Sequence, residues 1–382
     1  MRTRLPKRAI ALLPALALAL VAVGGLATSS AVSPSASAVS PSAALPPGFF
    51  GIAPQTPITE EDAERMRAAR IGAVRWPLAW SGVQLTRKGG YEWGAFDEIV
   101  EQAARQRLRV LPFVYASPDW ATGKYTRMPV ANARQRSAWV AFLRAAVERY
   151  GPRGEFWREH WAGSGDFVPK LPLRQWQIWN EANFFYFAEP VSPTRYAQLL
   201  KLSARTIKGV DPGAEILLSG LFGEPNGRPP RAMDAVDFLE RLYRVPGIEQ
   251  SFDAAALHPY AEDAETLAAM AEGMRATILD NNDRRTRLYM TEMGWGSQNN
   301  PNLVSFEQGT RFQIKEMRAA YAYLIDNRHR LNLKGTYWFT WKDIEDSCNF
   351  CDSTGFFRVG PRLKPKSAWH AFVDMTGGRA RP

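Results

Sequence analysis

Cysteine is almost absent from this chain: Cys348 and Cys351 are the only two in 382 residues. A structural zinc site takes four ligands, and the four histidines, His160, His258, His329 and His370, are scattered along the sequence. Metal chemistry and CxxC redox chemistry therefore have little to build on, and no cofactor is expected. In an exported chain the pair is expected to close a small structural disulfide, contributing about 2 kcal/mol through chain entropy. No GxGxxG follows an early strand-like run and no GxxxxGK[ST] occurs anywhere, which argues against dinucleotide and P-loop folds. Lys and Arg exceed Asp and Glu by 48 to 38, a formal +10. No basic block concentrates that charge, so nucleic acid is not an expected partner. The balance suits anionic polysaccharide or cell-envelope surfaces.

Acidic residues are missing before Glu60, whereas Arg2, Arg4, Lys7 and Arg8 precede an apolar run from Ala9 to Ala27. A basic n-region, an apolar h-region and a small-residue exit at Ala36-Ser37-Ala38 read as a secretory signal. An uncleaved anchor is the alternative, since the run is long enough to cross a bilayer. The expected organisation is a signal and leader over 1–38, a flexible Ser/Pro/Ala segment over 39–47, and one catalytic domain over 48–378. No later apolar run reaches the roughly 20 residues of a membrane span. At 46% hydrophobic and 23% charged, the body has the composition of a folded chain. An exported protein, secreted or held at the cell envelope and monomeric, is expected.

Along the body a short apolar run, a loop and an amphipathic stretch repeat. Strands are expected at 49–53, 73–76, 108–114, 175–179, 215–219, 253–257, 287–291 and 335–339. Helices are expected from Thr59 through Ala69, then near 95–106, 134–150, 193–208, 232–243, 264–279, 306–326 and 367–375. Thr59 with Asp62 three places on resembles a capping box, and Ser192 before Pro193 a cap followed by a first-turn proline. Eight strands alternating with eight helices imply parallel pairing and an α/β fold. The count favours a closed (β/α)8 TIM barrel over an open doubly wound sheet.

Barrel sites lie at the C-terminal ends of the strands. There the sequence places Arg75-Trp76, Trp179-Asn180-Glu181, His258-Pro259-Tyr260, Thr291-Glu292-Met293-Gly294-Trp295, and Trp338-Phe339-Thr340-Trp341 followed by Asp343. Two carboxylates across one opening are the equipment for cleaving a glycosidic bond, one protonated to assist the departing oxygen and one ionised to attack carbon. Arg75 and the Tyr260 hydroxyl are positioned to favour an ionised Glu292. Apolar surroundings and a like charge opposite would keep Glu181 protonated. Asn180 is a candidate donor or acceptor for a sugar 2-hydroxyl, and tryptophans supply flat walls for sugar CH faces. Singly, each of these residues has a plainer reading: Trp176, Trp179, Met317 and Tyr321 as core, His258 as a backbone-bonded histidine, Asp343 as a loop cap.

Together, WNE after strand four, TEMGW after strand seven and HPY after strand six resemble the clan A glycoside hydrolases. These are retaining (β/α)8 enzymes, and the likeness is closest to cellulase-like and β-xylosidase-like members, from Phe49 through Trp369. The resemblance implies Glu181 as acid/base, Glu292 as nucleophile, Asn180 and Arg75 as sugar-binding and supporting residues, and His258 and Tyr260 lining the site. It implies a tryptophan platform from strand eight, with Trp338 and Trp341 as candidates beside Trp295, and a polar role after strand three near Tyr115. Ala182 stands where the family often has proline. A carbohydrate substrate is the implied partner, and a non-hydrolytic carbohydrate-binding barrel or a transglycosylase is the alternative.

Overall fold

The computed structural model describes residues 45–161, 163–299, 306–345, 352–360 and 362–381. The expected leader 1–38, most of the 39–47 segment and the Cys348–Cys351 pair lie outside the described residues. Among those described, eight barrel strands run in order: β1 Phe50–Ile52, β2 Ala73–Ala79, β3 Arg109–Tyr115, β4 Gln175–Ile178, β5 Glu215–Leu217, β6 Ala254–His258, β7 Arg287–Met293 and β8 Leu333–Trp338. Each is parallel to the next, and β8 pairs back onto β1 through Gly51↔Tyr337, closing the sheet. The expected fifth strand is interrupted. It leaves the sheet after Leu217 and returns as Leu221–Phe222 beside β6, with Gly220 at φ +65° between. No described helix is long and apolar enough to cross a membrane.

Eight helices alternate with the strands: α1 Glu60–Ala68, α2 Gly94–Arg105, α3 Ala133–Tyr150, α4 Pro193–Val210, α5 Ala235–Tyr243, α6 Ala264–Asp280, α7 Gly309–Asp326 and α8 Ser367–Thr376. The local signals for their starts hold. The Thr59 side chain accepts from the Asp62 N–H while Asp62 reaches back to Thr59, and Ser192 caps α4. Short helical turns at Trp80–Val83, Asp119–Thr122 and Glu155–Glu159 sit in the loops.

Strand side chains alternate between two apolar layers, as the period of two requires. The larger layer lies between sheet and helices and takes Val74, Trp176, Ile178, Leu288, Met290 and Trp338. The smaller fills the barrel and takes Ala73, Leu111, Leu217, Ala254, Tyr289 and Tyr337. Gly51 is forced by that filling: a Cβ there would lie 2.4 Å from the Tyr337 ring. Tyr337 can cross the barrel floor only because β1 has no side chain at that point.

The first helix is tied to the segment after the last strand through one buried carboxylate. Asp62 is fully buried and accepts from the Thr59 N–H at 2.9 Å, the Trp341 indole at 2.8 Å and the Lys342 ammonium at 2.9 Å. Removing it strands a buried indole N–H and a largely buried ammonium. Asp62→Ala should therefore lower stability by about 3 kcal/mol, read as the shift in a urea-unfolding midpoint with unchanged slope.

Candidate active site

The inward-facing positions of the strands converge at the C-terminal mouth of the barrel. In β2, Ala73 faces the interior, so Arg75 does too; in β4, Gln177 points inward between Trp176 and Ile178. In β6 the same parity carries His258 inward, and the chain continues to Tyr260. In β7, strict alternation from Tyr289 and Thr291 would aim Glu292 at the helices. A register irregularity against β8 between Met290 and Met293 breaks the alternation. Met293 joins the outer layer and Glu292 turns into the mouth.

After β4 the chain enters two left-handed residues, Trp179 at φ +73° and Glu181 at φ +40°. For non-glycine residues this costs of order 1 kcal/mol each, and the surroundings hold them there. The Trp179 N–H donates to the Val114 carbonyl at 2.8 Å and its indole to the Phe187 carbonyl at 2.7 Å. The Glu181 N–H donates to the Ser219 carbonyl at 2.9 Å, and the Ala182 N–H to the Ser219 hydroxyl at 3.2 Å. This winding brings Asn180 and Glu181, sequence neighbours, to the same opening.

Arg75 is the hub. It is 1% exposed, its Cζ lies 3.9 Å from the Phe113 ring centroid, and its fork donates to Gln177 Oε1 and Asn180 Oδ1, each at 2.5 Å, and to Glu292 Oε1. A guanidinium only donates, so Asn180 must present its oxygen to Arg75, leaving its NH2 as the donor for another group. The other Glu292 oxygen, Oε2, accepts from the Tyr260 hydroxyl at 2.6 Å. Tyr260 stays protonated, because burial and the neighbouring Glu292 raise its pKa well above the usual phenol value. Tyr115 is pushed up to about 12, chiefly by burial.

Glu181 is in a different environment. It is 5% exposed, and burial first, then the charge of Glu292, raise its carboxyl well above the ordinary range. His258 lies against it, Nδ1 to Oε1 at 2.8 Å, and 3.7 Å from Glu292 Oε2. Burial and Arg75 lower the imidazole pKa well below its usual value, so it is neutral. Its Nε2 is buried without a partner. A buried lone pair is cheaper to leave unpaired than a buried N–H, so the hydrogen belongs on Nδ1, donating to Glu181 Oε1. The acidic proton of Glu181 is then left to Oε2. Glu181, His258 and Glu292 each present a ligand atom within 4.8 Å of the others. Arg75 and Tyr260 occupy the two Glu292 oxygens, and His258 Nδ1 donates to Glu181 Oε1.

The structure thus brings Arg75, Asn180, Glu181, His258, Tyr260 and Glu292 together, and it corrects the aromatic assignments. Trp295, Trp338 and Trp341 are at most 1% exposed, and their indoles donate to the Ala261 carbonyl, the Thr354 carbonyl and the Asp62 carboxylate. They pack behind the barrel and cannot stack on a sugar. The inward aromatic of the eighth strand end is Phe339, whose ring meets Tyr260 edge-on at 6.0 Å; Tyr337, two residues earlier, sets that parity. Asp343 accepts from Lys366 Nζ at 2.7 Å, a loop tie. Sequence reasoning missed Gln177, legible as a polar residue between two outward apolar ones in β4. It also missed Ser219 and Gly220, whose roles arise only from the break in the fifth strand.

A closed parallel barrel carrying two buried glutamates at the mouth, at the ends of β4 and β7, is the architecture of many glycoside hydrolases. Among solved structures, a family 39 glycoside hydrolase from Bacteroides cellulosilyticus is similar over 86% of this chain at 19% identity and TM-score 0.61. The chain spans 63% of that protein's length. A glucosidase from Croceicoccus marinus matches over 87% of this chain and 67% of its own at 17% identity and TM-score 0.61. A family 1 β-glucosidase from Thermotoga maritima matches over 84% and 86% at 13% identity and TM-score 0.58. At these identities the likeness is one of fold. No protein-family profile matches the chain, and neither does any curated protein sequence.

Two outcomes follow from the surroundings of Glu181. A Cβ on Gly220 would sit 2.2 Å from His258 Nε2, so Gly220→Ala must displace the imidazole from Glu181. We expect loss of the Nδ1–H to Oε1 hydrogen bond, read as a shifted His258 imidazole resonance by NMR. The raised pKa of Glu181 also opposes folding as the proton leaves. Its contribution is complete below the ordinary carboxylate pKa and is lost as pH rises through the raised value. Glu181→Gln should therefore melt higher than the parent at alkaline pH, with the gap closing in acid, measured by thermal unfolding across pH.

Proposed function

We propose that this protein is an exported retaining glycosidase that cleaves the O-glycosidic bonds of an oligo- or polysaccharide. The observation that carries the reading is the pairing of two carboxyl groups whose nearest oxygens lie within 4.8 Å in unlike environments. Retaining enzymes hold their carboxyl groups about 5–5.5 Å apart, and inverting ones about 6.5–9.5 Å to admit a water between. Glu181, protonated and buried, gives its proton to the glycosidic oxygen. Glu292, accepting from Arg75 and Tyr260, attacks the anomeric carbon as the C–O bond breaks, forming a covalent glycosyl-enzyme. Glu181, now a carboxylate, takes a proton from water, whose oxygen attacks the same carbon and releases Glu292. Asn180, with its NH2 unclaimed by Arg75, suits the sugar 2-hydroxyl.

The β-glucosidase and the monomeric β-xylosidase from Caulobacter crescentus among the similar structures support a β-linked sugar and a monomeric enzyme. The basic and apolar N-terminal segment supports export. Glu292→Ala should abolish hydrolysis across a panel of aryl glycosides and polysaccharides, and azide should restore turnover as a glycosyl azide of inverted configuration. Unchanged turnover in that variant, or an inverted product from the parent enzyme, overturns the reading. Glu181→Ala should slow glycosides with poor leaving groups by roughly 10²–10⁴-fold and activated aryl glycosides far less in the first step.

A further inference from the structure

The loop that follows Glu181 carries four consecutive aromatics, Phe184 to Phe187, and it is built as a rigid edge. It lies along the loop after the fifth strand: Phe184 bridges Ala232, the Phe185 N–H donates to the Arg231 carbonyl at 2.8 Å, and the Met233 N–H donates to the Asn183 carbonyl at 3.0 Å. Asn183, wholly buried, pins both loops by donating to the Phe222 and Met233 carbonyls at 2.7 Å each. These rings are continuous with the catalytic centre. Tyr260, on Glu292, meets Phe222 at 5.5 Å between centroids; Phe222 meets Phe184 at 5.4 Å; Phe184 meets Tyr186 at 4.9 Å. Tyr186 stacks on Phe185 at 4.2 Å and 28°. Phe185 and Tyr186 remain partly exposed at this edge.

The series ends in a charge. The guanidinium of Arg231 lies 3.8 Å from the Phe185 centroid, and the residue is exposed. Stacking fixes the plane of a guanidinium while leaving its in-plane N–H donors free, the arrangement that suits bidentate capture of a carboxylate. Arg231 makes no side-chain hydrogen bond or ion pair among the described residues, unlike Arg75 or Arg149, whose forks are engaged. The ring series starts at Tyr260 on Glu292 and ends in the loop that follows Glu181, and in the proposed chemistry Glu181 stands beside the glycosidic oxygen. The rings beyond it therefore flank the leaving group.

We propose that Phe185, Tyr186 and Arg231 form a leaving-group subsite for a hexuronate, its ring against the aromatic pair and its carboxylate on Arg231. The proposal rests on the glycosidase reading for the side of the bond it names, and the chain stays basic, with Lys and Arg in excess of Asp and Glu, even when the four cations of the expected 1–38 leader are set aside, which complements an acidic polysaccharide. It predicts that specificity is set by the sugar being expelled as much as by the one being attacked.

The test uses the full chain with Glu292→Gln to prevent turnover. Tetrasaccharides from polygalacturonate, alginate and hyaluronan are each titrated beside their carboxyl-reduced counterparts, which keep the ring stereochemistry and lose the charge. At least one acidic tetrasaccharide should bind roughly tenfold or more tighter than its reduced partner. Arg231→Ala should erase that preference, while Tyr186→Ala should weaken both members of the pair. Arg244→Ala, a surface cation 75% exposed, should leave the preference intact. Absence of a carboxylate preference in every pair overturns the proposal, as does its equal loss in Arg231→Ala and Arg244→Ala, which would mean bulk surface charge alone. Circular dichroism of each variant separates these outcomes from misfolding. Wild-type turnover of aryl glycosides is scored separately: if it is absent while the Arg231-dependent preference persists, the activity reading fails and the acidic-sugar site stands.

Discussion

One buried cation organises the mouth of this barrel. Arg75 enters from β2, lies against Phe113 and holds Gln177 and Asn180 of β4 and its following turn and Glu292 of β7, all more than a hundred positions away. A guanidinium with 1% exposure would be very costly without such partners, since its lost hydration must be replaced in full. The requirement works in both directions. Satisfying Arg75 orients the Asn180 amide, gives Glu292 a fixed partner, and ties β2, β4 and β7 together where the sheet opens to its ligand.

Around that hub two like residues are driven apart in character. Glu292 accepts from a guanidinium and a phenol, whereas Glu181 is buried beside a neutral imidazole. Burial of a carboxyl within reach of another carboxylate favours the protonated form, and two identical side chains at one opening are thereby placed in unlike states. The same arrangement carries stored cost: two left-handed residues, an unpartnered imidazole nitrogen and a proton whose loss opposes folding. Such costs gather where chemistry needs them and are offset by the packed barrel beneath.

The fold was largely legible because it follows from local rules. Apolar runs separated by amphipathic stretches, a Thr59–Asp62 capping box and a Ser192-Pro193 start each act within a few residues, and the helices begin within about three residues of where these signals put them. The positions of Glu181, Glu292, His258 and Tyr260 at strand ends were legible for the same reason, whereas β2 runs on to Ala79 and leaves Arg75 inside the strand rather than at its expected end. The aromatics were not. Trp338 and Phe339 are adjacent, and one step of strand parity decides which faces the barrel mouth and which faces the helices. Parity is set by Tyr337 filling the space above Gly51, a contact between the first and last strands that no window of sequence contains.

Sequence by itself determined the number of βα units, the reactive residues offered at the barrel mouth and the basic, apolar start of the chain, since composition and periodicity are properties of short segments. Tertiary structure alone decided which of those residues meet. The register irregularity in β7 turns Glu292 inward, the break at Gly220 makes room for His258 beside Glu181, and the apposed fourth and fifth loops bring Arg231 over Phe185. Each depends on distances between strands far apart in the chain, and those distances exist only once the sheet has closed.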